Sequence, residues 1–408
     1  VNVDAQPHAH ESSGFGEFIV LMAVTMSLVA LSIDMMLPAF PEMVRDLQPA
    51  SPNDIQLVIS LMFIGVALGL PFYGPLSDSI GRKPTMYAGF LILIAGSLIS
   101  MFATDFATML VGRFLQGFGA AGPRSVAMAL IRDRFHGSAM ARVMSFIMTI
   151  FILVPILAPA LGQLILLVTS WRSIFAFFVV FSLFVAGWLH WRQPETLPPA
   201  YRRPFTLAGI GNGFLEVLRN GPAMVYTLVA GCVFGAFMGY LNTCQAVFQV
   251  QYGLGKLFPL FFGGLAFAAG VAAVINGNLV MRFGMHVLAH RALALVTALS
   301  WLLLAVTGLA GGQPPLWQFM AIGLAWFFFI GVVFGNINAM AMEPLGHVAG
   351  SAAAVIGTAT TLMAVALGYA IGQAYDGTLY AVASGFAVLT SLALALIVGL
   401  LRVQNKKF

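Results

Sequence analysis

One acid stands well inside an apolar run: Asp34, within LSIDMMLPAFP (residues 31–41). It lies 17 residues into the first apolar segment, about 25 Å from its start if that segment is a helix. An ionised carboxylate at such a depth costs a few kcal/mol. A carboxyl placed there is therefore read as a group that takes and loses a proton, with an interfacial acid or half of a structural ion pair as the plainer alternatives. Arg113, in RFLQGFGAAG (residues 113–122), lies six residues into another apolar segment. That is about 9 Å, the same distance that separates Asp34 from the far end of its own segment. The matched depths predict that Arg113 modulates protonation of Asp34; a purely structural arginine is the alternative. Gln116, one turn on, can join the same polar network. Arg124, after Pro123, is expected to snorkel or to pair with Asp78 or Asp133.

A second charged cluster, Asp78, Arg82 and Lys83, sits in GPLSDSIGRKP (residues 74–84) between two apolar segments, as a topology anchor or a latch. The second half of the chain offers amides and a phenol but no acid inside a span: Tyr240, Asn242 and Gln245, then Asn276 and Asn278, then Asn336 and Asn338. With 35 Phe and 21 Met, these suit a roomy, adaptable pocket for amphipathic ligands. Tyr240, Asn242, Gln245, Asn336 and Asn338, with Asp34 and Gln116, are the substrate-binding candidates. The chain lacks a phosphate-cradling GxxxxGK[ST] loop and any catalytic constellation, so no enzyme activity or cofactor is expected. The seven histidines are scattered without metal-ligand spacing, His8 and His10 in a polar tail included. Cys232 and Cys244, twelve residues apart on one helix, would stand about 18 Å apart, too far for a disulfide.

These residues need helices to hold them. The 408 residues are 60% hydrophobic and 8% charged, where soluble domains carry about 25% charged residues. The chain is a polytopic membrane protein. Its apolar runs predict twelve spanning helices, near 17–40, 55–75, 84–103, 107–130, 141–167 and 172–191, then 221–245, 257–281, 289–310, 316–340, 349–372 and 380–401. The fold class is all-α, in two six-helix bundles over 17–191 and 221–401. A cytoplasmic linker at 192–220 joins them, with tails at 1–16 and 402–408. The net charge of +5 could suggest nucleic acid. The basic residues instead gather on one side: fourteen Arg and Lys fall in the segments that face the cytoplasm if the amino terminus is inside, against only Arg45, Arg172 and Lys256 outside. The positive-inside rule then places both ends in the cytoplasm. The partners implied are a lipid bilayer and small solutes, with no nucleic acid.

The halves echo each other. GPLSDSIGRKP follows the second helix, and GNLVMRFGMHV (residues 277–287) follows the eighth. Each holds two glycines seven apart, Gly74 and Gly81, Gly277 and Gly284, with Met281 where the first copy has Asp78. GPLSDSIGRKP resembles the signature between the second and third helices of the major facilitator superfamily. RFLQGFGAAG is similar to the fourth-helix motif of its proton-coupled members, and LSIDMMLPAFP resembles the first-helix end of drug:proton antiporters. PETLPPAYRRPF (residues 194–205) and FGNINAMAMEPLGHVAGSAAA (residues 334–354) resemble the bicyclomycin and chloramphenicol resistance branch. APALGQ (residues 158–163) departs from the fifth-helix antiporter pattern, keeping the proline and one glycine. The resemblance implies alternating access around a midplane cavity that the first and fourth helices help to line. It implies proton-driven export of a small amphipathic drug or antibiotic, with protons as co-substrate, by a monomer in the cell inner membrane. It also implies that Asp78, Arg82 and Lys83 latch the two halves in the outward-facing state. A metabolite or siderophore exporter of the same fold and a passive uniporter or importer are the alternatives.

Overall fold

The structure is a computed structural model that describes residues 14–405. His8, His10, Lys406 and Lys407 lie outside the described residues. The described chain is all-helical, with twelve long helices: α1 Phe15–Asp34, α2 Leu57–Ile80, α3 Arg82–Met101, α4 Phe106–Arg134, α5 Gly137–Val168, α6 Arg172–Arg192, α7 Gly221–Gln245, α8 Phe258–Phe283, α9 Met285–Leu309, α10 Leu316–Met342, α11 Ala349–Gln373 and α12 Tyr380–Asn405. Ten helical segments are long and apolar enough to cross a membrane, one of them containing both α10 and α11. The remaining long helix is α4, whose sequence is rich in glycine and carries Arg113 and Arg124. It tolerates that polarity because it packs between α2 and α3, with Arg113 and Gln116 fully buried.

Packing repeats when six is added to each helix number. α1 packs on α5 as α7 packs on α11, α2 on α4 as α8 on α10, and α3 on α6 as α9 on α12. The two six-helix bundles meet along α2 against α11 and α5 against α8, a pair of contacts that the same shift exchanges. The turns within the repeat match as well: Gly81 joins α2 to α3 with φ of 108°, and Gly284 joins α8 to α9 with φ of 77°. Backbone in that region favours glycine, which has no Cβ to clash. Burying apolar side chains against lipid-like neighbours yields little, so close backbone contact carries much of the association. At Gly117 of α4, a Cβ would overlap the Met62 carbonyl of α2.

Two boundaries differ from the sequence reading. The first helix ends at Asp34 rather than near residue 40. A 3-10 turn at Leu37–Ala39 and a short helix, Phe40–Leu47, follow, each with proline in its first turn. Proline has no N–H for a continuing helix, so the chain breaks and restarts, leaving Asp34 at a helix end. The linker also holds an amphipathic helix, Leu207–Arg219, that packs on α11.

Even helix counting puts the start of α1, the linker and the end of α12 on one face, here the linker face, opposite the far face. Direct polar ties between the bundles lie at the far face and at mid-height. Asn53 donates its amide to the carbonyls of Gln373 (3.3 Å) and Tyr375 (2.9 Å), and Gln373 donates to Asp54 (3.1 Å). Deeper, Thr358 donates to the Ala67 carbonyl at 2.7 Å. At the linker face, Arg203 of the linker donates its backbone N–H to the Asp78 backbone carbonyl, and Glu216 of the linker helix meets His347. The bundles are thus closed against each other on the far side.

Gly117→Ala should lower stability by about 3 kcal/mol, because backbone faces the new methyl, while Gly264→Ala, which meets open space in α8, should change it by less than about 0.5 kcal/mol. Thermal unfolding of the purified variants in detergent checks both.

Candidate functional site

Asp34 closes α1 at a depth where the side chain is only 5% exposed. Among the described residues its carboxyl makes no hydrogen bond and no ion pair. Its electrostatic neighbours come from the other bundle: Tyr240 and Cys244, one turn apart on α7. An ionised carboxylate here would have no counter-charge, an arrangement that costs several kcal/mol when dry.

Arg113 is buried completely, and it does not reach Asp34's carboxyl. Its Nε donates to the Val58 carbonyl of α2 at 3.0 Å, and its Nη1 to the Ser32 carbonyl of α1 at 3.2 Å and to Gln116 Oε1 at 2.5 Å. Its Nη2 is buried without a hydrogen-bond partner, and the guanidinium lies 6.0 Å from the Phe175 ring centroid. Gln116 passes the chain on, donating to Ser97 of α3 at 3.0 Å. Arg113 is therefore bonded to the backbone two residues before Asp34 and not to its carboxyl. Asp105 starts α4 by accepting the Thr108 N–H at 2.8 Å; that bond, with a second from the Thr108 hydroxyl, holds its carboxyl below the usual carboxylate range.

The candidates of the second bundle separate into engaged and free groups. Asn336 is engaged, donating to Asn276 of α8 at 2.8 Å and to the Val332 carbonyl. Asn338 donates to Phe334 of its own helix, and Gln245 donates to Gln249 in the π-helical turn that follows α7. Tyr240 and Asn242 are free: the phenol oxygen and both amide atoms are buried without hydrogen-bond partners. The Tyr240 ring is held by Phe327 (4.8 Å between centroids) and Phe262 (5.9 Å). Tyr240 and Asn242 are thus the second-bundle candidates whose buried side-chain polar atoms are wholly unpartnered, as is the Asp34 carboxyl among the described residues.

At the linker face Arg82 is the centre of its cluster. It bonds Asp78 at 2.5 Å, Asp133 at the end of α4 at 3.0 Å, and the Ser77 hydroxyl. The linker completes the arrangement: Glu195 accepts the backbone N–H groups of Arg82 and Lys83, both at 3.0 Å, and Thr196 donates to Asp133. In this structure the cluster of Asp78, Arg82 and Lys83 binds α4 and the linker. The Lys83 Nζ donates to the His190 carbonyl at 3.1 Å. One expectation is corrected here: Arg124 does not pair with Asp78 or Asp133, both of which Arg82 holds.

Glu195 was not foreseen as a partner, although it lies inside PETLPPAYRRPF, the most proline-rich stretch of the linker. Also unforeseen was the second bundle's counterpart, a His286–Glu343 pair at 3.1 Å that joins the start of α9 to the end of α10 as Arg82–Asp133 joins α3 to α4. Met281, at the position of Asp78, is 89% exposed and takes no part.

A family model for the Major Facilitator Superfamily matches residues 22–369. The chain is 32% identical over 350 residues to a bicyclomycin resistance protein homolog of Haemophilus influenzae, covering 84% of this chain and 85% of the relative. It is 30% identical, with the same coverage, to the uncharacterized MFS-type transporter YdgK of Bacillus subtilis. Its fold resembles the crystal structure of the human organic anion transporter MFSD10, with a TM-score of 0.71 over 94% of this chain and all of that one, at 16% identity.

Arg82→Ala should cost about 2 kcal/mol of stability, the loss of a buried pair discounted for the partly exposed acids, whereas Lys83→Ala should cost less than about 0.5 kcal/mol. Unfolding temperatures of the two variants, measured in parallel, test that ranking.

Proposed function

The chain belongs to the Major Facilitator Superfamily, and to its drug:proton antiporter branch; on that premise we propose that it is a proton-coupled transporter that exports small amphipathic drugs or antibiotics by alternating access. The observation that carries this reading is the buried carboxyl of Asp34, unpaired at the end of α1. A carboxyl without a fixed counter-ion can be neutralised by a proton or by a cargo, and both cannot hold it at once. The likeness to a bicyclomycin resistance protein homolog supports a drug as cargo.

In this reading the linker face is cytoplasmic, because the basic residues gather there, and both described ends emerge on it. The protein is a monomer of the bacterial inner membrane, with residues 17–191 and 221–401 as its two moving bodies. Asp34 releases its proton toward the cytoplasm and takes one from outside. Protonation displaces a cationic cargo directly, or reshapes the pocket around a neutral one, so release falls on the outer side. Arg113 holds the Ser32 carbonyl and so fixes the end of α1 that carries Asp34. Tyr240 and Asn242 supply the free polar contacts for cargo, within a wall of phenylalanines. Gln116, Gln245, Asn336 and Asn338 shape the pocket around them. The Arg82 cluster stiffens the first bundle and its linker, which lets that bundle rock as a unit.

Asp34→Asn should abolish uptake driven by an imposed pH gradient into proteoliposomes across a mixed panel of cationic and neutral compounds, while the parent accumulates at least one of them. Gradient-driven accumulation by the Asn variant would sink the proposed coupling.

A further inference from the structure

The linker-face ends of α7, α9, α10 and α12 border a cavity of about 360 Å³ within the second bundle. Four polar side chains line it: Tyr226 of α7, His286 and His290 of α9, and Glu343 at the end of α10. Met340 and Leu401 belong to its apolar wall. The polar groups stand close together. His286 Nε2 lies 3.1 Å from the Glu343 carboxylate, and the His286 ring centroid lies 6.4 Å from that of Tyr226 and 6.2 Å from that of His290. Two of the four are unsatisfied. Tyr226 is 5% exposed, and its hydroxyl makes no hydrogen bond among the described residues. The His290 Nε2 is buried without a hydrogen-bond partner. Buried polar groups are ordinarily paired. Glu343 also lacks a fixed cation: among the described residues no Arg or Lys pairs with it, whereas its counterpart in the first bundle, Asp133, is held by Arg82.

We propose that this cavity is a second ligand site, separate from Asp34 and built for a primary ammonium group. Such a group brings one positive charge and three N–H donors, as the lysine side chain does. The cavity offers three acceptors to match: the Glu343 carboxylate, the Tyr226 oxygen, and the His290 Nε2 in the tautomer that carries its proton on Nδ1. The bond to Glu343 is charge-assisted and the strongest of the three. The apolar wall takes the carbon skeleton that bears the amine. Other occupants match the lining less well. An anion would meet the charge of Glu343. A quaternary ammonium has the charge but no donor, so Tyr226 and His290 would stay unpaired. Among the described residues no three His, Cys, Asp or Glu are arranged to hold a metal ion. A bound ammonium joins α7, α9 and α10, much as the Arg82 guanidinium joins α3 to α4. The same chemistry is carried by soluble amphipathic amines and by the aminoethyl headgroup of a membrane lipid.

The probe is 4-fluorophenethylamine, titrated into the full chain in phosphatidylcholine nanodiscs and followed by fluorine NMR, with empty discs as the blank. The amine should bind at least about tenfold more tightly than its N,N,N-trimethyl derivative, the factor expected when a charge-assisted bond is lost. Glu343→Gln should weaken the amine by at least a similar factor, Tyr226→Phe should weaken it less, and Asp34→Asn should leave it unchanged. Absence of saturable binding, or equal affinity for the amine and its trimethyl derivative, overturns the proposal, and that comparison needs no variant. Amine binding that survives Glu343→Gln, or that is lost with Asp34 instead, also overturns it, and neither outcome bears on the transport assay of Asp34. Replacing part of the lipid with phosphatidylethanolamine separates the two sources. Weaker amine binding there assigns the site to the lipid headgroup, and unchanged binding assigns it to a soluble amine.

Discussion

A fully buried guanidinium with no acid among the described residues to neutralise it is the constraint on which the first bundle turns. Arg113 must satisfy its donors inside the protein, and the acceptors available are carbonyls of neighbouring helices. Taking the Ser32 and Val58 carbonyls ties α4 to both α1 and α2, and Gln116 extends the tie to α3. Four helices are registered against one side chain. The end of α1 is fixed as a result, and Asp34 is held inside the protein rather than against lipid. Glycine at 117 allows the approach of α4 to α2 that this registration requires.

The two ends of the molecule are built differently. On the far side the bundles meet directly, through the Asn53 amide on the Gln373 and Tyr375 carbonyls and the Gln373 amide on the Asp54 carboxylate. Such single bonds, the neutral ones each contributing about 1 kcal/mol, can open and close in a transport cycle. At the linker face the permanent charges stay inside the first bundle and its linker, where Arg82 holds two acids. The second bundle replaces that arrangement with a histidine and a glutamate. The asymmetry leaves a rigid first bundle and a linker fastened to both bodies, through Arg203 on one side and Glu216 on the other.

Much of this was legible in the residues themselves. Twelve apolar runs, a basic linker and the paired glycines at 74 and 81, 277 and 284, marked the helices and the repeat, because helix length and turn conformation are written locally. Asp34 stood out because an acid in an apolar run is costly. The break after Asp34 was hidden, since Met35 and Met36 continue the apolar run and only Pro38 interrupts it. Arg113's role was half visible: its burial could be read, but its partners are backbone carbonyls, which leave no trace in residue type. The His286–Glu343 pair escaped notice because the repeat conserves its place and not its chemistry. Tyr240 and Asn242 emerged from a wider set of polar residues only when packing showed which neighbours were already bonded.

The central claim is that the charge on Asp34 decides which face is open. Distances between spin labels at Arg45→Cys and Lys256→Cys, exposed far-face positions on opposite bundles, report that choice directly in lipid nanodiscs. The account predicts two distance populations whose ratio shifts as pH is varied, and a ratio that no longer responds to pH when Asp34 is replaced by Asn. A pH response that survives in the Asn variant would contradict it.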